Sequence, residues 1–225
     1  DIARSESVQI TSGDHDEALP AWSPDGRQIA YVTRRGGEPD RHSNFDIYLV
    51  EPRAGATERR LTTFDGADND PDLGSPISWS PDGRQLAFVQ GGEDKWIYYA
   101  PHQLAIVDVA TGRSRVPAPI DRWFTQPRWS PDGRSVLALI EQSRVINLSR
   151  IEVASGKVTP LTAGPRFDAG FAVSKQGRIV VLGGDDVTPY ELAALERGTL
   201  RLLGSHNEWL AQKQLVRFDD IHFRS

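Results

Sequence analysis

The chain has 225 residues, a formal net charge of −5, 38% hydrophobic and 25% charged side chains, and a mean hydropathy of −0.45. It contains no block of like charge and no 18-residue apolar run, which speaks against a nucleic-acid footprint and a membrane-spanning helix. Cysteine is absent, so disulfides, thiolate nucleophiles and cysteine-ligated zinc are excluded.

The chain opens on Asp1 and holds no methionine. The expectation is that residue 1 is not the start of the gene product and that a signal peptide could have preceded it. Within that limit a cytoplasmic location is expected ahead of a periplasmic one.

Residues 6–13, ESVQITSG, read as an outer strand whose three partners are missing. Ile10-Thr11 sits in it where Leu61-Thr62 and Leu161-Thr162 sit further on. The first full unit covers about 20–64. Trp22 opens WSPDGRQIAYV, in which Pro24, Asp25 and Gly26 set a tight turn: proline presets φ, aspartate suits the next place and glycine tolerates the left-handed one. A third strand, DIYLVEP, a small turn at Gly55 and a fourth strand around Leu61 complete the unit.

An acidic stretch follows, with Asp65, Asp68, Asn69, Asp70 and Asp72. The Asp68, Asp70, Asp72 spacing suggests a calcium loop. Pro71 interrupts it, however, and Trp79 stands where a closing glutamate belongs, so a solvated loop is the plainer reading.

The second unit, about 76–118, repeats the scheme with Trp79, Pro81, Asp82 and Gly83. The third, about 126–163, does so with Trp129, Pro131, Asp132 and Gly133. A decayed fourth copy, VSKQGRIVVL from Val173, extends over about 168–204. The intervals of 57, 50 and 44 residues match four-stranded propeller blades with variable loops. The expected fold is all-β, about four antiparallel blades of a larger seven- or eight-bladed ring, with a small closed four-bladed ring as the alternative. The three tryptophans at one repeat position point to packing between blades, not to a ligand-stacking set. The aspartates are turn formers before they are acids.

One insertion breaks the period. GGEDKWIYYAPH, residues 91–102, replaces a short loop of the second unit and brings together Glu93, Asp94, Trp96, Tyr98 and Tyr99. Acids and aromatics on a loop held by a rigid scaffold fit substrate contact, against the plainer reading of an extended hairpin edge. RRGGEPDRHSNF, residues 34–45, is its counterpart one unit earlier. The histidines 15, 42, 102, 206 and 222 show no ligand spacing; no metal and no cofactor are implied. Residues 205–225 leave the period, with a short helix capped by Asn207 and a strand through Val216, Phe218, Ile221 and Phe223.

The PDG hairpins resemble those of TolB-like propellers and of the prolyl oligopeptidase family of serine peptidases. Around Pro189 and beyond, TPYELAALERGTLRLLGSHNEWLAQKQLVRFDDIHFRS (residues 188–225) is similar to the last blade and hydrolase crossing of acylaminoacyl-peptidase and dipeptidyl-peptidase relatives, with His206-Asn207 and Phe223-Arg224-Ser225 in the matching places. That resemblance implies an α/β-hydrolase domain of the same protein as partner and a short peptide as substrate. In relatives that bind a peptide amino end, propeller acids do so by charge-assisted hydrogen bonds. The family's nucleophile lies in a G-x-S-x-G elbow. No serine here fits: Ser114 has Gly112 before it but Val116 after it. No catalytic residue is therefore assigned. The resemblance implies the non-catalytic propeller portion of such a peptidase, capping the active site and restricting access to short peptides; a TolB-like protein-binding propeller is the alternative, and open blade faces make self-association an expected property.

Overall fold

The computed structural model describes residues 7–36, 38, 41–96, 99–219, 221 and 223. Four antiparallel meanders follow one another. Blade 1 holds β1 (Glu17–Trp22), β2 (Ile29–Thr33), β3 (Asp46–Val50) and β4 (Arg59–Arg60). Blade 2 has a divided inner strand, β5 (Gly66–Asp68) and β6 (Ser78–Trp79), both paired with β7 (Gln85–Glu93), then β8 (Gln103–Asp108) and β9 (Ser114–Arg115). Blade 3 is β10 (Trp123–Trp129), β11 (Ser135–Gln142), β12 (Val145–Glu152) and β13 (Val158–Pro160). Blade 4 is β14 (Phe167–Val173), β15 (Ile179–Gly184), β16 (Glu191–Glu196) and β17 (Thr199–Leu202). The fold is thus all-β and propeller-like, as the repeats imply.

The hairpin corners explain the repeated motif. Ser23 Oγ donates to Asp25 at 2.7 Å and accepts from Gln28 N at 2.9 Å, while Arg27 N donates to Asp25 at 3.1 Å. Ser80 and Asp82, then Ser130 and Asp132, repeat the arrangement. Gly26, Gly83 and Gly133 take φ of 69°, 72° and 67°, the left-handed region that a Cβ disfavours. The serine bonds hold Asp25, Asp82 and Asp132 below the usual carboxylate range.

Packing runs between blades. β7 is buried on both faces: Leu86 and Phe88 meet blade 1, while Ala87 meets Trp129, Val136 and Ala138 of blade 3. This accounts for its unbroken apolar run, since alternation appears only where one face is wet. A third cluster joins Leu137, Leu139 and Leu148 of blade 3 to Ile179 and Val181 of blade 4. Each such fully buried aliphatic side chain contributes about 1.5–3 kcal/mol.

Two expected elements do not form. Residues 7–16 contain no strand. An outer strand needs a third strand beside it, and none stands there; Ile10 instead packs against Tyr31, Tyr48 and Val50. In the tail, a 3₁₀ turn (Glu208–Gln212) replaces the short helix. Asn207 makes no side-chain cap, because its amide donates to Glu191 at 2.8 Å. The expected strand through Val216, Phe218, Ile221 and Phe223 is absent over its described residues, which lie exposed.

Candidate functional site

A meander puts the turns after its first and third strands at one end and the loop after its second strand, with the connector to the next blade, at the other. The PDG corners therefore share one end, and the expected substrate loop belongs to the opposite one. Blade 3 has only the two-residue loop Ser143-Arg144 there, with φ of 47° and 70°. The long loops are confined to blades 1 and 2.

The 91–102 insertion begins inside strand β7. Gly91, Gly92 and Glu93 prolong β7, with Gly66 opposite Glu93 and Asp68 opposite Gln90. A Cβ on Gly92 would overlap the Ala100 side chain, and one on Gly66 would overlap the Gly92 carbonyl. Close backbone approach, not freedom, requires these residues. Asp94–Trp96 forms a 3₁₀ turn. Lys95 Nζ lies 2.5 Å from Glu93 Oε2 and 5.5 Å from the Trp96 ring centre. Trp96 and Tyr99 project into solvent, Tyr99 with 90% of its surface exposed. Tyr98 lies outside the described residues, and of Asp94 only the backbone turn is described.

Beside this loop stands a pair that sequence reading passes over. His102 stacks on Trp123 of blade 3 with ring centres 4.2 Å apart and 30° between planes. Phe124 N donates to the His102 carbonyl at 2.9 Å, fixing the two blades together here. Partial burial lowers the His102 pKa, opposed by the Asp70 charge, and its Nδ1 has no hydrogen-bond partner. A periodic sequence search could have flagged Trp123 as an aromatic just before an inner strand, but nothing local pairs it with His102.

The acids of the 65–72 stretch are used separately, and the stretch is not simply solvated. Asp68 is fully buried and accepts from Gln90 Nε2 at 2.9 Å; burial raises its pKa to about 6. Asn69, also buried with φ of 69°, accepts from Val89 N at 3.0 Å and donates to the Ser75 carbonyl at 2.8 Å. Asp70 caps the 3₁₀ turn Pro71–Leu73 by accepting from Asp72 N at 2.9 Å. Among the described residues no three His, Asp or Glu side chains are placed to hold a metal ion. In the 34–45 loop, Arg35 is drawn back onto Glu58 and lies 4.4 Å from the Tyr48 ring centre.

The motif tryptophans differ in surroundings. Trp79 and Trp129 are 9% and 6% exposed between blades, while Trp22 is 58% exposed. What the loop-bearing end offers is an exposed aromatic and acidic edge, Glu93, Trp96 and Tyr99, next to the half-buried His102–Trp123 stack. That combination can bind an extended, amine-bearing or apolar ligand; among the described residues it holds no nucleophile paired to a base.

No protein-family profile matches the chain. It is 30% identical over 156 residues to dipeptidyl-peptidase 5 of Porphyromonas gingivalis, covering 68% of this chain and 22% of that protein. It is 25% identical over 220 aligned positions to the Tol-Pal system protein TolB of Francisella tularensis, covering 78% of this chain and 47% of that one. The structure of puromycin hydrolase superposes with a TM-score of 0.66 at 19% identity, over 88% of this chain and 32% of that one. The chain thus spans between about a fifth and about half the length of the curated relatives it matches. Its likeness is to the propeller domains of prolyl-oligopeptidase-type peptidases and to TolB alike.

Proposed function

We propose that this chain, a β-propeller of the PDG-hairpin type, is the non-catalytic propeller portion of a prolyl-oligopeptidase-like serine peptidase. It would sit against an α/β-hydrolase domain of the same protein, cap the active site and admit short peptides while excluding folded proteins. The observation that carries this reading is the 156-residue match to a dipeptidyl-peptidase. The loop-bearing end supports it, because Glu93 and the exposed Trp96 and Tyr99 suit the amine and side chains of a peptide end. The bond-breaking serine belongs to the hydrolase domain, and the propeller contributes selection by size and contact.

The test uses the full gene product that contains residues 1–225. A fluorophosphonate serine probe should label it, and di- to tetrapeptide chromogenic substrates should be cleaved while a folded protein of similar sequence content is spared. The 225-residue chain alone should show no turnover. A full gene product that the probe leaves unlabelled removes the peptidase reading.

A second reading, a TolB-like protein-binding propeller, is favoured by one observation: the match to TolB spans 47% of that protein, against 22% for the peptidase. It predicts an unlabelled gene product whose rim, not an enclosed cavity, is the functional surface.

A further inference from the structure

The corner of blade 4 keeps the turn of the other three and changes the side chains around it. In VSKQG, residues 173–177, Gly177 takes φ of 78° and its N–H donates to the Ser174 carbonyl at 2.9 Å, as that of Gly133 does to Ser130. Ser174 Oγ accepts from Arg178 N at 3.1 Å. The turn therefore forms without the usual tryptophan, proline and aspartate. Val173 stands for Trp129, Lys175 for Pro131 and Gln176 for Asp132.

All three departures line one cleft, between the corners of blades 3 and 4, with a volume of about 1070 Å³. Leu137, Val173 and Ile179 give it an apolar wall. The cleft in the same place between blades 1 and 2 measures about 560 Å³, and Trp79 lies in it. There Leu49, opposite Ala30, is buried in one cluster with the Trp79 indole. In blade 2 Ile106, opposite Ala87, is buried with Trp129 in the same way. In blade 3 the corresponding residue, opposite Leu137, is the exposed Arg150. An indole on an aliphatic side chain has become a valine beside a cation. The charge changes in the same direction. Pro81 and Asp82 border the smaller cleft where Lys175 and Gln176 border the larger one. Four cations, Arg115, Arg134, Arg150 and Lys175, line the larger cleft against two acids, Asp132 and Glu152. Both acids are engaged in their own turns, Asp132 by Ser130 Oγ and Arg134 N, Glu152 by Ser155 Oγ. Arg115 is anchored, its Nη2 donating to the Val153 carbonyl at 2.9 Å.

We propose that the cleft between blades 3 and 4 binds a small aromatic carboxylate. The ring takes the place that the motif tryptophan fills at the two preceding blade boundaries, and the carboxylate meets Arg150 and Lys175. An apolar wall with a few convergent charged groups is the make-up of a small-ligand site. The planar guanidinium of Arg150 matches a carboxylate through two parallel hydrogen bonds. Cations gathered without an equal number of acids repel one another, and a bound anion relieves that repulsion. Both walls come from blades that pack on each other within this chain. The cleft lies at the corner end, opposite the end that carries Glu93, Trp96 and Tyr99, so it is a site separate from the proposed peptide-binding edge. Nothing here depends on the peptidase reading.

Isothermal titration calorimetry of the full gene product that contains residues 1–225 is the test, with indole-3-propionate and its uncharged carboxamide as probes. The carboxylate should bind with a Kd on the order of 1 mM or below. The carboxamide should bind roughly tenfold more weakly. Val173→Trp restores the side chain that blades 2 and 3 carry and should abolish binding, with the circular dichroism of the wild type. Lys175→Glu, on an exposed turn, should weaken binding by roughly tenfold or more and leave the fold unchanged. It decides the matter if Val173→Trp disturbs the packing. Trp96→Ala, on the loop-bearing end, should bind like the wild type. Four results would each overturn the proposal: no saturable binding up to about 10 mM, a carboxamide that binds as well as the carboxylate, binding that survives Val173→Trp or Lys175→Glu, or binding lost in Trp96→Ala.

Discussion

The indole of Trp79 in blade 2 donates to the main-chain carbonyl of Ala21 in blade 1, at 3.0 Å. One side chain thus joins two sheets by apolar burial and by a hydrogen bond. Trp79→Ala leaves a ring-sized cavity and an unpaired carbonyl and should cost about 3–5 kcal/mol. Trp22→Ala, which removes an exposed ring, should stay within about 0.5 kcal/mol of the wild type. Urea unfolding of the two variants checks the contrast; equal losses would show that the motif tryptophan acts within its own hairpin.

This contrast marks where the sequence stops being informative. WSPDGRQ is identical around Trp22 and Trp79, so no local signal separates the buried ring from the exposed one; the neighbouring blade decides. The corners were legible because Ser, Asp and Gly act within five residues of each other. No strand forms at 7–13 or over the described residues of the tail, because strand propensity needs a hydrogen-bonding partner and none flanks either segment among the described residues. The insertion at 91–102 showed itself as a broken period. Its glycines, however, are fixed by Ala100 and Gly66, contacts visible only in three dimensions. The His102–Trp123 stack lies across a blade boundary and had no periodic signature.

Asp68 is buried without a cation, and its pKa rises from 3.8 to about 6. The folded state therefore holds this proton more tightly than the unfolded chain does. The stability it contributes is whole below the unfolded value and is lost as pH rises through about 6. Relative to Asp68→Asn, the wild type should lose on the order of 3 kcal/mol between about pH 4 and about pH 7. The corner aspartates, whose pKa values are lowered, titrate alike in both proteins and cancel in the difference. Thermal or urea unfolding of the pair across this window checks the sign; a pH-independent difference would mean that folding leaves the Asp68 pKa unchanged.

His102 should behave in the opposite sense. Burial lowers its pKa from 6.5, so its contribution is present above that value and is lost as pH falls through the folded pKa. Trp123→Ala uncovers the imidazole and should bring its titration back toward 6.5, as followed by the ring-proton shifts in NMR. Asp70→Asn removes the charge that favours the imidazolium and should lower the pKa further. An unmoved titration in Trp123→Ala would show that other groups supply the desolvation.

Trp96 and Tyr99 are large aromatic side chains held in solvent on a loop whose base is fixed by Gly92 and Ala100. An exposed ring contributes little to folding, so Trp96→Ala and Tyr99→Ala should alter stability by no more than about 0.5 kcal/mol. On the proposed peptidase role, their effect in the full gene product should fall on substrate binding. A ring that packs on a peptide equally in the bound and transition states contributes to both alike, so its loss raises KM and leaves kcat unchanged. An aromatic contact worth about 0.5–1.5 kcal/mol corresponds to a rise in KM of roughly two- to twelvefold. Glu93→Gln should add to that rise for peptides with a free amino end and have little effect on amino-blocked ones, because only the former carry the charge it meets. Steady-state kinetics with matched free and blocked peptides separates the two contributions. Variants that lower kcat at constant KM would instead mean that the loop positions the hydrolase domain and does not touch the peptide.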